Sequence, residues 1–337
     1  MKGAYFSEIK KVEIKEDLPQ PEINSDEVLI RVKKCGICGS DIGSYLTGAL
    51  ESQRIILGHE FSGEIIELGE KVKKLKVGER VTANPNVPCL DCYYCNHGLE
   101  NMCIFHTIGI THNGALAEFV KVRADRIHKL PDSISFEEAT LIEPLSNGVQ
   151  AVRTSGLKVG DNAAVFGAGP IGLMTIQVLK AAGASYIYVI EPIEVKQKIA
   201  LKLGADEVFD PKRWSKIIKL TNKVGPNYVF DCVGLPETIM TSMQLVKRGG
   251  TIIIIGIHPQ TFELKGFLQF MTKNLTMKGM YLTDQESFNT AIRLIEQKKV
   301  DVLPLITKII TLDDVPEEME KLSKGLHEDI KVLVDIQ

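Results

Sequence analysis

Apolar positions change their period along this chain, and the change divides it into two regimes. In the first stretch they come as short β runs, 12–14 and 28–32, separated by Pro19-Gln20-Pro21. Short runs punctuated by proline predict the opening strands of an antiparallel barrel. A further strand is expected over 116–122, then a break at Leu130-Pro131 and helical spacing over 136–145. Beyond Gly160 compact apolar runs alternate with helical stretches. Strands are expected at 162–166, 185–190, 228–233, 251–255 and 275–280, with helices over about 170–182, 194–203 and 237–246. Such alternation implies a parallel sheet with right-handed crossovers. The remainder carries an amphipathic helix over about 285–297 and short strands near Ile306 and Val332, without internal repeats or low-complexity tracts.

A length of 337 residues exceeds one ordinary core, so two domains are expected. Hydrophobic content of 44%, charged content of 25% and 28 glycines describe a globular enzyme or binding protein. A net charge of -3 gives no electrostatic reason to expect nucleic acid or an anionic membrane as partner. The densest apolar run, 251–257, is far too short to span a bilayer, and charge enters Met1-Lys2-Gly3-Ala4-Tyr5-Phe6-Ser7-Glu8 too early for a signal peptide. The expected compartment is the cytoplasm.

Five of the seven cysteines fall at metal-ligand spacings, and thiolates for zinc fit a chain without a secretory signal better than disulfides do. Cys89, Cys92, Cys95 and Cys103 form C-x-x-C-x-x-C-x7-C in a loop bounded by Pro85, Pro88 and Gly98. Four thiolates enclose a tetrahedral ion with no open position, as a structural zinc requires, and an iron–sulfur cluster is the chemical rival. Cys35-Gly36-Ile37-Cys38 would suit a redox pair, but no strand-then-helix thioredoxin context surrounds it. Glu143, ahead of Pro144 in an apolar stretch, is costly to bury without a partner, and a metal would remove that cost. Gly167-Ala168-Gly169-Pro170-Ile171-Gly172 stands between a predicted strand and helix, with Glu191 nineteen residues beyond Gly172. In that context the motif predicts a dinucleotide site, with pyrophosphate at the helix N-terminus and Glu191 on the ribose hydroxyls. The carboxylate of Glu191 would repel a 2′-phosphate, so NAD is preferred. Lys196 and Lys198 keep NADP open.

The stretch from Gly58-His59-Glu60 through Gly69-Glu70-Lys71-Val72 fits the zinc alcohol dehydrogenase signature at every fixed position. On it the chain resembles the zinc-dependent medium-chain dehydrogenase/reductase family along nearly its whole length. The resemblance implies an α/β fold class: a GroES-like β-barrel catalytic domain (1–147 and 281–337, with a structural zinc lobe at about 85–106) plus a Rossmann doubly wound parallel sheet for NAD (148–280). It implies two zinc ions per subunit, one catalytic and one structural. Cys38, matching the family's second cysteine, His59 and Glu143 would hold the catalytic ion, with water, substrate or Glu60 in the fourth position. One thiolate, one imidazole and one carboxylate balance a dication, which keeps zinc a Lewis acid able to bring a bound group toward a pKa of about 7. Ser40 matches the family's proton-relay hydroxyl, and Asp41 either orients a metal ligand or caps the following helix. Gly43 stands where relatives carry a relay histidine, which opens space beside Ser44, Tyr45 and Phe105 as pocket residues. His106 or His112 would be a substitute base. Val233, Gly256 and Ile257 fall at strand ends, where a nicotinamide would rest.

A carboxylate at Glu143 resembles the sorbitol, butanediol and threonine dehydrogenase branches. The expected reaction is reversible hydride transfer between a secondary alcohol, polyol or diol and NAD, in a homodimer or homotetramer. A sugar or sugar-phosphate dehydrogenase is the alternative within the family. A non-catalytic zinc- or nucleotide-binding protein is the alternative outside it. That rival, like a zinc-free quinone reductase, predicts missing ligands.

Overall fold

The computed structural model describes residues 1–48, 54–103, 107–257, 261–325 and 327–336. The chain divides into two compact units, one of Met1–Glu143, Leu282–Glu296 and Leu305–Gln337, the other of Pro144–Tyr281 and Gln297–Pro304.

The first unit is built on the long strand Glu27–Gly36, which pairs antiparallel with Glu60–Leu68, Phe119–Arg123 and Lys331–Asp335. Val28, Ile30 and Val32 recur at period two and pack in one core with Phe61, Ile65, Val120, Val332 and Val334. A smaller sheet orders Lys11–Lys15, Gly3–Glu8 and Ile55–Ile56. Register brings Gly36 opposite Glu60, and a Cβ on Gly36 would overlap the Glu60 carboxylate. A side chain is missing there so that another can lie across the strand.

Helical spacing over 136–145 resolves into two helices, Phe136–Thr140 and Ile142–Ser155. Pro144 has no N–H for the carbonyl of Thr140, and its ring would crowd that carbonyl, so the helix breaks at Leu141. Ser135 opens the first helix with a reciprocal cap: its Oγ accepts from Glu138 N at 3.1 Å, and Glu138 Oε2 accepts from Ser135 N at 2.8 Å.

The second unit holds six parallel strands in spatial order Glu207–Phe209, Tyr186–Ile190, Asn162–Phe166, Tyr228–Asp231, Thr251–Ile254, Thr276–Gly279. Numbered along the chain this is 3-2-1-4-5-6, the doubly wound order with its switch point beside the first strand. Asn162–Phe166 is buried on nearly every residue, which explains why it reads as continuous rather than alternating. The segment Gln297–Pro304 belongs to this unit, held by Gln177, whose side chain donates to Asp301 O at 3.0 Å and accepts from Asp301 N at 2.8 Å. Among the described residues no helix is long and apolar enough to cross a membrane.

Candidate metal centres and dinucleotide site

Cys89, Cys92, Cys95 and Cys103 bring their sulfurs within 4.8 Å of one another. Cys89 and Cys95 Sγ stand 4.0 Å apart, Cys92 and Cys95 Sγ 3.5 Å. An ion about 2.3 Å from each of four sulfurs would set them about 3.8 Å apart, so the quartet fits tetrahedral zinc. Backbone N–H groups of Asp91 and Cys92 draw the Cys89 thiol down to about 7, whereas burial and the neighbouring thiols push Cys95 up to about 12. Four such groups do not ionise together without a cation among them. The lobe is tied to the barrel by Arg123, which donates to Pro88 O at 2.8 Å, and by Arg126, which donates to Glu100 Oε2 at 2.8 Å.

A second cluster gathers Cys38, His59 and Glu60, whose ligand atoms also lie within 4.8 Å of one another. Cys38 precedes the helix Gly39–Thr47, so a thiolate there faces the positive helix end. Asp41 lies in the first turn of that helix. Its Oδ2 accepts from Cys38 N at 2.8 Å, which caps the helix, and its Oδ1 stands 3.7 Å from His59 Nδ1, too far for a hydrogen bond. Burial lowers the His59 pKa, yet Cys38, Asp41 and Glu143 outweigh it and hold the group well above the usual imidazole value. Burial likewise raises Asp41 against the pull of His59.

The buried atoms without a hydrogen-bond partner include Ser40 Oγ, Asp41 Oδ1 and His59 Nδ1, three neighbours in this one cluster. Orphaned polar atoms are costly, and a site that gathers them is built for a group it binds. A soft thiolate, an imidazole and carboxylates suit zinc. Glu143 lies outside the 4.8 Å set, in the first turn of Ile142–Ser155, with its charge acting on both His59 and Lys331.

Lys331 is the residue that sequence reasoning missed. Its Nζ donates to Glu60 Oε1 at 2.8 Å, to Glu60 Oε2 at 2.7 Å and to Ile37 O at 3.1 Å. Both partners are almost wholly buried, at 3% and 1% side-chain exposure. Removing one member of such a pair costs about 3–5 kcal/mol, because the other is left charged and unmatched. The signal in the sequence was a lone lysine within the apolar run Ile330-Lys331-Val332-Leu333-Val334.

In the second unit, Gly167 takes φ 87°, and a Cβ on Gly172 would overlap Gly167 O, so both must be glycine. A Cβ on Gly169 would meet nothing within 4 Å, which leaves the N-terminus of the helix Pro170–Ala181 open to a pyrophosphate. Pro170 suits the first turn, Ile171 carries the helix on, and Ile171 O accepts from Thr175 Oγ1 at 2.7 Å. Glu191 is buried at the end of Tyr186–Ile190. Its Oε2 accepts from Ala168 N at 2.7 Å and its Oε1 from Ile193 N at 2.8 Å, so it braces the glycine-rich turn. Each carboxylate oxygen keeps a further lone pair for hydroxyls. Asp231, a second group the sequence did not announce, accepts from Val233 N at 2.9 Å and Gly234 N at 3.0 Å and shapes the loop after the fourth strand. A Cβ on Gly256 would overlap the backbone at Val233 and Gly234, so Gly256 serves packing, while Ile257 is exposed.

Of the expected pocket residues, Gly43 has open space where a side chain would project. Ser44 is buried and accepts Gly48 N–H at 2.7 Å through its carbonyl. Tyr45 is packed in the barrel core. Phe105 and His106 lie outside the described residues. His112 Nδ1 is 3.0 Å from Thr111 Oγ1 in an exposed position. Cys35 is buried in the core, and neither Cys35 nor Cys38 is in a disulfide.

Residues 24–132 match the alcohol dehydrogenase GroES-like domain, and residues 170–297 match the zinc-binding dehydrogenase domain. The chain is 33% identical to sorbitol dehydrogenase of Bacillus subtilis, over 99% of this chain and 97% of that one. The structure is similar to 2R,3R-butanediol dehydrogenase of Bacillus subtilis, with TM-score 0.90 and 33% identity over 100% and 99% of the two chains. It is also similar to galactitol-1-phosphate dehydrogenase of Escherichia coli, with TM-score 0.93 and 26% identity over 99% and 100%.

Proposed function

The chain belongs to the zinc-binding alcohol dehydrogenase family, an oxidoreductase of CH–OH groups that uses zinc and NAD(P), and within that family we propose that it is an NAD-linked polyol or diol dehydrogenase. The reading rests on the cluster of half-buried Cys38 with buried His59 and Glu60, with Glu143 acting on it electrostatically. Relatives named for sorbitol and for butanediol support the substrate class. When bound, zinc would supply a Lewis acid and the nicotinamide a hydride acceptor. Cys38 and His59 would hold the metal, with Glu60 at ligand distance and Glu143 acting on the cluster, Asp41 would help place His59, and Cys89, Cys92, Cys95 and Cys103 would hold a second, structural ion. The second unit takes the dinucleotide, with the turn around Gly169 on the pyrophosphate and Glu191 on the ribose. NAD reduction measured across diols, polyols, amino alcohols and sugar phosphates tests this, and activity on none of the polyols or diols would sink it.

Ser40 would accept the substrate proton while releasing its own outward through the cofactor ribose, since a hydroxyl with its own high pKa relays rather than keeps a proton. Its orphaned, buried Oγ supports that role. Ser40→Ala lowers kcat by about 10²-fold while cofactor affinity stays unchanged; equal losses in both would assign Ser40 to binding instead. Open space at Gly43 favours a second reading, a bulkier sugar or sugar phosphate as substrate.

Glu191 selects NAD by repelling a 2′-phosphate. Glu191→Ala weakens NAD more than NADP in paired KM measurements, and an unaltered NAD/NADP ratio would refute the selectivity. Because Glu191 also braces Ala168 and Ile193, both cofactors lose some affinity.

A homodimer is supported by the outer strand Thr276–Gly279, which ends the sheet, and by exposed Phe267, Leu268 and Met271 on the preceding helix. Sedimentation at micromolar protein returns more than one copy, and Leu268→Glu shifts it toward the monomer; a monomeric parent protein ends the proposal.

A further inference from the structure

We propose that residues 216–225 form a docking surface for an anionic lipid membrane, with lysines on the headgroup phosphates and Val224 at the acyl boundary. Charge is segregated between the two units. The unit of Pro144–Tyr281 and Gln297–Pro304 holds 18 lysines and arginines against 10 aspartates and glutamates, a net +8, which leaves the other unit, with 22 against 33, at −11. The overall −3 averages over both. At physiological salt a surface feels charges within about 8 Å, so a local excess decides what approaches it. Asymmetry of this kind points to a polyanionic partner.

The excess is densest over 211–227, which holds Lys212, Arg213, Lys216, Lys219 and Lys223 and no acid. All five are exposed, and none of them forms an ion pair among the described residues. Ile217 is fully buried, and Trp214 and Ile218 pack against the same core, so the helix Lys216–Leu220 turns Lys216, Lys219 and Leu220 to solvent. Asn222 and Lys223 then take φ of 51° and 65°. Lys223 N donates to Ile218 O at 2.7 Å and Gly225 N to Thr221 Oγ1 at 2.9 Å, which closes the reversal. It leaves Val224 59% exposed beside Lys223, with Leu220 48% exposed one turn earlier. A Cβ on Gly225 would overlap Leu245 O, and Lys247 N donates to Pro226 O at 2.9 Å, so the turn sits on a segment that adds Lys247 and Arg248. None of these residues belongs to the metal or dinucleotide sites. Lysines around exposed aliphatic side chains suit a lipid interface, where ammonium groups meet phosphates and apolar tips enter the acyl boundary. A nucleic acid would leave Leu220 and Val224 unmatched, and the segment offers it no exposed aromatic for stacking, since Trp214 is half-buried.

Flotation of the protein with vesicles of phosphatidylglycerol and phosphatidylcholine in equal parts tests the surface, against vesicles of phosphatidylcholine alone. The protein rises with the first and stays behind with the second, and about 1 M salt, where the Debye length falls to about 3 Å, releases it. Lys216→Gln/Lys219→Gln/Lys223→Gln lowers the partition coefficient by about a hundredfold, about fivefold for each cation. Val224→Asp, which keeps every lysine, lowers it by at least about tenfold. Both variants keep the parent protein's unfolding midpoint and its turnover in free solution, because the substituted side chains are exposed. Equal partition into both kinds of vesicle, partition into neither, or full binding by the triple variant overturns the surface. Full binding by Val224→Asp, or a single-stranded oligonucleotide captured where vesicles are not, overturns the lipid assignment in favour of a polyanion read by charge alone.

Discussion

His59→Ala lowers turnover by about a thousandfold or more and leaves one bound zinc where the parent protein holds two. The size follows from what is lost: Lewis-acid stabilisation of developing charge is worth several kcal/mol, and each 1.36 kcal/mol is about a factor of ten. His59 stands within 4.8 Å of Cys38 and Glu60 ligand atoms, so its removal takes the one neutral ligand from an otherwise anionic set. Metal analysis with steady-state kinetics on one preparation decides the matter. Two zinc ions retained, or turnover within tenfold of the parent, would falsify the assignment of this cluster as the catalytic centre.

Cys95→Ser removes the other ion and loosens the lobe around it. Structural zinc contributes on the order of 10 kcal/mol in small model systems, and the lobe has little else to order it. Tyr93, Tyr94, Leu99 and Met102 are exposed, so the segment has few apolar contacts of its own. With three ligands left, the remaining thiols hold zinc weakly. Amide exchange then accelerates across the lobe while the parallel sheet keeps its protection. Zinc at this site predicts a colourless parent protein on purification; brown colour and iron in the analysis would hand the site to an iron–sulfur cluster.

Much of this was legible because the chemistry is local. Cys89, Cys92, Cys95 and Cys103 sit close enough in sequence that spacing alone brings their sulfurs together, and the glycine-rich turn lies between one strand and the helix that follows it. The parallel sheet was legible from period, since strands buried on both faces read as unbroken apolar runs. What stayed hidden depends on partners far along the chain. Lys331 looks like an ordinary charge until strand pairing sets it beside Glu60, and Gly36 looks like a turn glycine until register sets it opposite that carboxylate. The break at Leu141 was overlooked because apolar periodicity continues through it; Pro144 carried the signal. Segment Gln297–Pro304 was not separable from its neighbours, as a side chain exchanging two hydrogen bonds with one backbone leaves no periodic trace.

The pair that completes the catalytic neighbourhood joins residues 271 positions apart, with the whole contiguous stretch Pro144–Tyr281 looped out between them. Loop closure over such a span is paid in chain entropy before any contact returns it, and contacts of high sequence separation form late. On dilution from denaturant the parallel sheet, whose widest pairing joins Tyr228 to Ala163 across a far shorter span, gains its protection first. Ammonium and carboxylate meet only when the last barrel strand docks, so competence to turn over substrate trails the recovery of secondary structure.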